Sequence, residues 1–511
     1  MERIVKSMKS LSSLSSLSAF SLRENKDCIH VSKEEWIIIM KAMLNTDRYE
    51  SLVLVDGFNA LPLYVPSHHF KYYYPYNEFD DSPPLFYEDK QYLKWIEKQI
   101  RSKTFFLRIH VCDPMELMKK IVIQFKNLMK ISLHFFILSN DCIKFLVQNF
   151  PNLKAINFEN SIGIKSEECL LLSQLSDLQH LNLMGCDIYE ENLEVLLKNC
   201  PQLKSLNINN NSDISGQCLY SISPSIERLD LRDCWGIDFQ HIIAMVERLK
   251  LNSLVEFLAN SGISDDSLTA ICENCPNIRH LTISFDYFTC DDIYGRRVLS
   301  NSGFSSIGKL ENLKILNLRH VGKLTDESLH NILKGCKNLM QLVLNVRHRH
   351  QLTDNALSNI GVCCPKLLRL ESVHNHFIGK KSMKSISQIE NLVALILRGN
   401  KMVDNDITEA ITECKRLSFL NLDGCPVNQL VLMSCIQKAI EIQPNDQILT
   451  VSLLSTQIDR SALNEHVLPP NLRIRVSGPQ NYEHFLEFDG KNVLEGTLSW
   501  FFPQYWTDFI D

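Results

Sequence analysis

Two spacings in this chain are those from which metal sites are built. Cys272 and Cys275 spell C-x-x-C, and Cys363 and Cys364 are adjacent. Basic and imidazole groups gather elsewhere, with Arg347, His348, Arg349 and His350 in one run and His374 and His376 a little further on. Groups of that kind suit an acidic or phosphorylated segment, which they would hold by charge-assisted hydrogen bonds. A metal fits that cluster less well, because no carboxylate or cysteine joins it in sequence. Solvent-exposed loop residues are the plain alternative. No nucleophile–base pair, Walker loop, G-x-G-x-x-G or H-E-x-x-H introduces a catalytic centre. Neither an enzyme nor a bound cofactor is expected.

The elements that must position these residues follow from a repeated pattern, L-x-x-L-x-L. It reads Leu178-Leu181-Leu183, Leu203-Leu206-Ile208 and Ile226-Leu229-Leu231, and later Leu313-Leu316-Leu318, Leu339-Leu342-Leu344 and Leu417-Leu420-Leu422. Starts at 153, 178 and 203, and again at 367, 392 and 417, are about 25 residues apart, within the ~20–29 of a known repeat class. The three apolar positions point inward from a short strand, and alternate residues face solvent on the opposite side. An outer helix returns the chain. Ser264, Thr325 and Thr353 stand where N-caps belong, each followed by an acidic first turn. Leu329, Ile332 and Leu333 lie at helical spacing.

The cysteines then acquire addresses. Cys186, Cys234 and Cys425 occupy a slot filled elsewhere by Asn211 and Asn400, where a small polar group can bond loop backbone between coils. Cys200, Cys275 and Cys364 each precede a proline that stops an outer helix. The C-x-x-C pair falls in these helix-end slots, so no metal is expected there. This cadence resembles the cysteine-containing subfamily of leucine-rich repeats. The resemblance covers about residues 104 to 476 and is interrupted by an insertion around Asp286 to Ser305. It implies an α/β leucine-rich-repeat solenoid, with a curved parallel sheet inside, helices outside, and repeats spanning 104–484.

In that register the second, fourth and sixth residues after each repeat start face the concavity. They include Arg228, Asp230, Arg232, Glu256, Arg319, Arg369, Glu371, Arg398 and Asp423. Mixed signs suit a protein or peptide better than a phosphate backbone. A net charge of −6 agrees in excluding a general nucleic-acid binder. Arg228, Arg232, Arg319, Arg369 and Arg398 join the Arg347–His376 cluster as candidate substrate contacts. The cluster histidines recur at like positions of neighbouring repeats and should share a rim with His320.

Residues 29–61, before the repeats, read IHVSKEEWIIIMKAMLNTDRYESLVLVDGFNAL. This resembles an F-box, the helical module that docks a Skp adaptor in cullin-based ubiquitin ligases. Val31 and Glu34 stand in its Leu-Pro-x-Glu, Ile39-Met40 in its Ile-Phe, Met43 at a Leu or Met position and Phe58 at the usual Trp or Phe. Read from the residues alone, the segment is two or three short helices with Trp36, Ile39, Met40 and Met43 on apolar faces. Ser32 departs from the usual proline, Val55 from Ser or Cys, and Asp56-Gly57 from a basic pair. A plain N-terminal capping helix is the alternative.

The resemblance implies a substrate-recognition subunit with a Skp-type adaptor and a cullin as partners and a protein substrate on the repeats. The expected layout is a leader at 1–27, the helical box at 28–62, a linker and capping helix at 63–103, and an aromatic tail or cap at 485–511. Apolar runs stop short of the ~20 residues that span a bilayer. The 17 cysteines, an odd number without a secretory signal, suit reduced thiols in the cytoplasm or nucleus.

Overall fold

The structure, a computed structural model, describes residues 51–56, 104–109 and, with interruptions, 115–476. The leader, the box-like residues Val31, Glu34, Trp36, Ile39, Met40, Met43 and Phe58, residues 63–103 and the aromatic tail lie outside the described residues. The chain divides into two compact units between Leu206 and Asn207.

In the first unit, β1 (Ser51–Asp56), β2 (Thr104–Ile109), β3 (Lys130–His134), β4 (Ala155–Asn157) and β5 (His180–Asn182) pair in parallel in the order β2-β1-β3-β4-β5. A further strand, β6, spans Ser205–Asn207. The second unit contains β7 (Arg228–Asp230), β8 (Glu256–Ala259), β9 (His280–Ser284), β10 (Ile315–Val321), β11 (Gln341–Val346) and β12 (Arg369–Ser372). It continues with β13 (Ala394–Ile396), β14 (Phe419–Asn421), β15 (Leu449–Leu453) and β16 (Leu472–Val476). These ten pair in parallel in strict chain order. Such pairing needs a crossover between strands, and outer helices such as Phe239–Leu249, Asp326–Gly335 and Asp404–Glu413 provide it. This is the leucine-rich-repeat solenoid fold.

The expected inward positions form the core. Leu313, Leu316, Leu318, Leu339, Leu342 and Leu344 are fully buried, and Leu329, Ile332 and Leu333 bury the helix stripe against them. Each such side chain contributes roughly 1.5–3 kcal/mol by leaving water. The eighth-residue slot behaves as its chemistry requires. The Cys186 thiol donates to the Phe158 carbonyl at 3.0 Å, Cys234 to Ile208 at 2.9 Å and Cys425 to Leu397 at 2.8 Å. Asn400 reaches Ser372 at 2.8 Å from the same slot, and Ser161 reaches Leu133 at 2.9 Å. A carbonyl that the sheet leaves open thereby gains a donor from the next repeat.

The outer helices are coupled by a device that local sequence hides. Acids at the start of one repeat's outer segment, in the first turn of a helix or, at Asp354, in a turn, reach sideways to the start of the next. Asp265 accepts from the Ser300 amide at 2.8 Å, and Asp326 accepts from the Thr353 amide at 2.8 Å. Asp354 accepts from the amides of Gly379, Lys381 and Ser382 at 2.8–2.9 Å, and Asp404 from Asn428 at 2.9 Å. The Asp265 contact needs Gly303, because a Cβ there would lie 2.2 Å from the carboxylate oxygen. Partial burial pushes the Asp265 and Asp354 carboxyls upward, but these hydrogen bonds outweigh it and hold both below the ordinary value.

Three expectations need correction. Residues 51–56, inside the segment read as helical, form β1, which pairs with β2 and β3 on its two sides. Leu-Val-Leu-Val is a strong strand former, and pairing on both edges satisfies its backbone. Thr353 does not open a long helix: turns follow it, and the helix is only Ile360–Cys363. The Thr353 hydroxyl accepts from the Asn355 amide at 3.2 Å, and Asp354 accepts from the Gly379 amide of the next repeat. The insertion is shorter than expected, because Asn301–Ser306 is that repeat's outer helix, capped by Ser300.

Candidate functional site

The sheet face away from the helices carries the alternating charged residues, and strand register decides which of them meet. Arg228, Glu256 and His280 stand opposite one another on β7, β8 and β9. Glu256 accepts from His280 Nδ1 at 2.6 Å and lies 3.6 Å from Arg228 Nε. His280 Nε2 lies 3.1 Å from the Thr282 hydroxyl, and Asn317 Nδ2 on β10 donates to that hydroxyl at 3.1 Å. Nearby, Arg232 grips Asp230 with Nε at 2.9 Å and Nη2 at 2.7 Å, a two-pronged pair. Arg369 donates to Glu371 at 2.6 Å.

This face was expected to be solvated throughout, and much of it is not. Asp230, Glu256, Thr282 and Arg369 are all under a tenth exposed. Opposite charges in neighbouring rows, packed side by side at strand spacing, shield one another from water. Arg228, Arg232 and Arg369 therefore serve the face's own ion-pair network. His280, Thr282 and Asn317 complete it and were missed. Their signal was available, since all three fall on even positions of the repeat.

Arg319 and Arg398 differ. Neither guanidinium makes a side-chain hydrogen bond or ion pair with another described residue. Arg319 is exposed and Arg398 half-buried. The protein mass enclosing Arg319 lowers its pKa, Arg232 and Arg369 add to this, and Glu371 opposes it. The side chain still reaches solvent, so the effect is enclosure on a crowded face rather than burial in a core, and a guanidinium there stays charged.

The predicted rim divides. Arg347, His348, Arg349, His350 and His374 lie outside the described residues; His376 is exposed at a turn. His320 sits in β10 with a left-handed backbone, φ 54°. The cysteines of the metal-like spacings are helix-end residues. Burial pushes the Cys272, Cys275 and Cys364 thiols up to about 12. Among the described residues, no group of three or more His, Cys, Asp or Glu side chains could hold a metal. No described helix is long and apolar enough to cross a membrane.

No protein-family model matches the chain, and no curated protein matches it. Solved structures similar to it include the yeast Rad7 and Elc1 complex, at 20% identity and a TM-score of 0.47, covering 69% of this chain and 87% of that one. An internalin from Listeria monocytogenes is similar at 18% identity and a TM-score of 0.40, covering 63% and 90%. A leucine-rich-repeat protein of Leptospira interrogans is similar at 17% identity and a TM-score of 0.42, covering 69% and 91%.

Proposed function

We propose that this chain is the non-catalytic substrate-recognition subunit of an SCF-type ubiquitin ligase. The box-like segment would hold a Skp-type adaptor, itself bound to a cullin, and the repeats would hold a protein substrate. The contribution is proximity rather than bond chemistry. One observation carries the reading: an F-box-like segment at residues 29–61 precedes cysteine-type repeats with an open charged face. The adaptor, the cullin and a cytoplasmic or nuclear location all follow from that reading.

A second reading is a leucine-rich-repeat interaction scaffold outside ubiquitination. The strand at Ser51–Asp56 favours it, because part of the box-like segment belongs to the repeat sheet. Affinity purification of the full chain separates the two. Adaptor and cullin should co-purify with it, and Ile39→Asp combined with Met43→Asp should abolish their capture. An unpaired charge in an apolar contact costs on the order of several kcal/mol, enough to break such an interface. Deleting residues 29–61 is a poorer test because it also removes β1. Absence of adaptor from the wild-type preparation, or its retention by the double variant, would leave the scaffold reading standing.

A further inference from the structure

We propose that Arg319 and Arg398 form an anion-binding row on the open sheet face, taking carboxylate or phosphate groups of an acidic peptide that runs across the strands. The proposal rests on the reading of the repeats as a protein-binding surface and names the ligand chemistry of that surface.

The acids of the face are already engaged. Asp230 is held by Arg232, Glu371 by Arg369, and Glu256 by His280. Asp423 accepts from the Ser452 hydroxyl at 2.7 Å and the Leu454 amide at 2.8 Å. Arg319 and Arg398 remain as cations whose donors no described side chain takes up. A guanidinium displays five donors in a planar fork that matches a carboxylate or phosphate in two-pronged fashion.

The backbone gives a second, independent reason to single out Arg319. The β10–β11 ladder shifts register between Arg319 and Val321, and the intervening His320 adopts a left-handed conformation at φ 54°. Non-glycine residues take that conformation uncommonly. Bulges of this kind redirect the neighbouring side chain and recur beside functional sites. The residues paired with Arg319 on either side are Ser284 and Asn345, both short. The Arg319 side chain, though enclosed by the charged residues around it, is exposed to solvent and so within reach of a ligand. Among the charges around it Glu371 attracts Arg319, while Arg232 and Arg369 repel it; a bound anion would offset the two repulsions.

Arg398 occupies the equivalent repeat position three strands on, in the turn two residues past β13. Three strand spacings are about 14 Å, and an extended chain advances about 3.3 Å per residue. Anionic groups about four residues apart on an extended peptide would therefore meet both arginines.

The test uses the full-length protein and three fluorescein-labelled 12-residue peptides in a Gly-Ser background. One carries Glu every fourth position, one phosphoserine and one Gln, and binding is read by anisotropy. The Glu or phosphoserine peptide should bind, more weakly as salt rises, and the tighter of the two identifies the anion. Arg319→Ala should weaken that binding at least tenfold and Arg398→Ala severalfold, with Arg319→Lys intermediate and thermal unfolding unchanged. Equal binding of the Gln peptide, no binding of either anionic peptide, or unaltered affinity in Arg319→Ala would overturn the proposal. Adaptor capture is measured on the same preparations. Capture without peptide binding sinks the anion row alone, and peptide binding without capture sinks the ligase reading alone.

Discussion

Two groups of repeats end their strands differently. In β4, β5, β7 and β14 the strand has three residues and stops at an Asn or Asp. That side chain turns back to accept the amide two residues on: Asn157 from Glu159, Asn182 from Met184, Asp230 from Arg232 and Asn421 from Asp423, at 2.9–3.1 Å. In β9, β10 and β11 the same position holds Thr282, Asn317 and Val343, and the strands run to five, seven and six residues. Asn317 shows that residue type alone does not decide. Its Nδ2 donates sideways to Thr282 and its Oδ1 accepts no turn bond. Where the turn forms, the next outward residue is fixed by its own backbone. Where it does not, that residue, as at Arg319, is displayed on a paired strand. The extended block is thus where the face is best built to meet a partner.

The largest expected effect tests what replaces the turns in the extended block. His280→Ala removes the closest partner of a buried carboxylate and should destabilise the second unit by roughly 1.5–3 kcal/mol, as for hydrogen bonds to charged groups. Denaturant unfolding with hydrogen exchange should place the loss around β8 to β10. A variant as stable as wild type would show that the network is incidental to the longer strands.

A smaller effect separates the two strand endings. Asn182→Ala and Asn317→Ala should each cost about 0.5–1.5 kcal/mol, but with different signatures. The first should expose the Met184 amide to exchange. The second should leave the Arg319 amide protected and loosen the His280 and Thr282 side chains, visible by NMR. Matching exchange patterns would erase the distinction.

The smallest effect concerns what both regions share. Folding depresses the Asp265 and Asp354 carboxyls, so their stabilisation is complete above the ordinary unfolded value near 3.8 and is lost as pH falls through the lower folded one. Asp354→Asn should flatten the acid limb of the stability profile while barely changing stability contributed by the sheet face. An acid limb identical to wild type would deny the cross-repeat cap its role.

By itself the sequence determined the repeat, its parallel sheet and its buried stripe. Period and apolar type settle these, and Leu316, Leu342 and Leu329 follow from spacing alone. It also determined the slot of Cys186, Cys234 and Cys425, because a small donor recurring in one register has one backbone carbonyl to meet. The box-like segment was legible only as a resemblance.

Tertiary structure alone decided what depends on two repeats at once. Asp354 reads as a first-turn acid of its own helix, yet its three amide donors are 25 to 28 residues away. Arg228, Arg232 and Arg319 are the same residue type on one face, and two are paired while one is not. Arg228 finds Glu256 across the strand register and Arg232 finds Asp230 two residues back, whereas the residues paired with Arg319, Ser284 and Asn345, carry no charge.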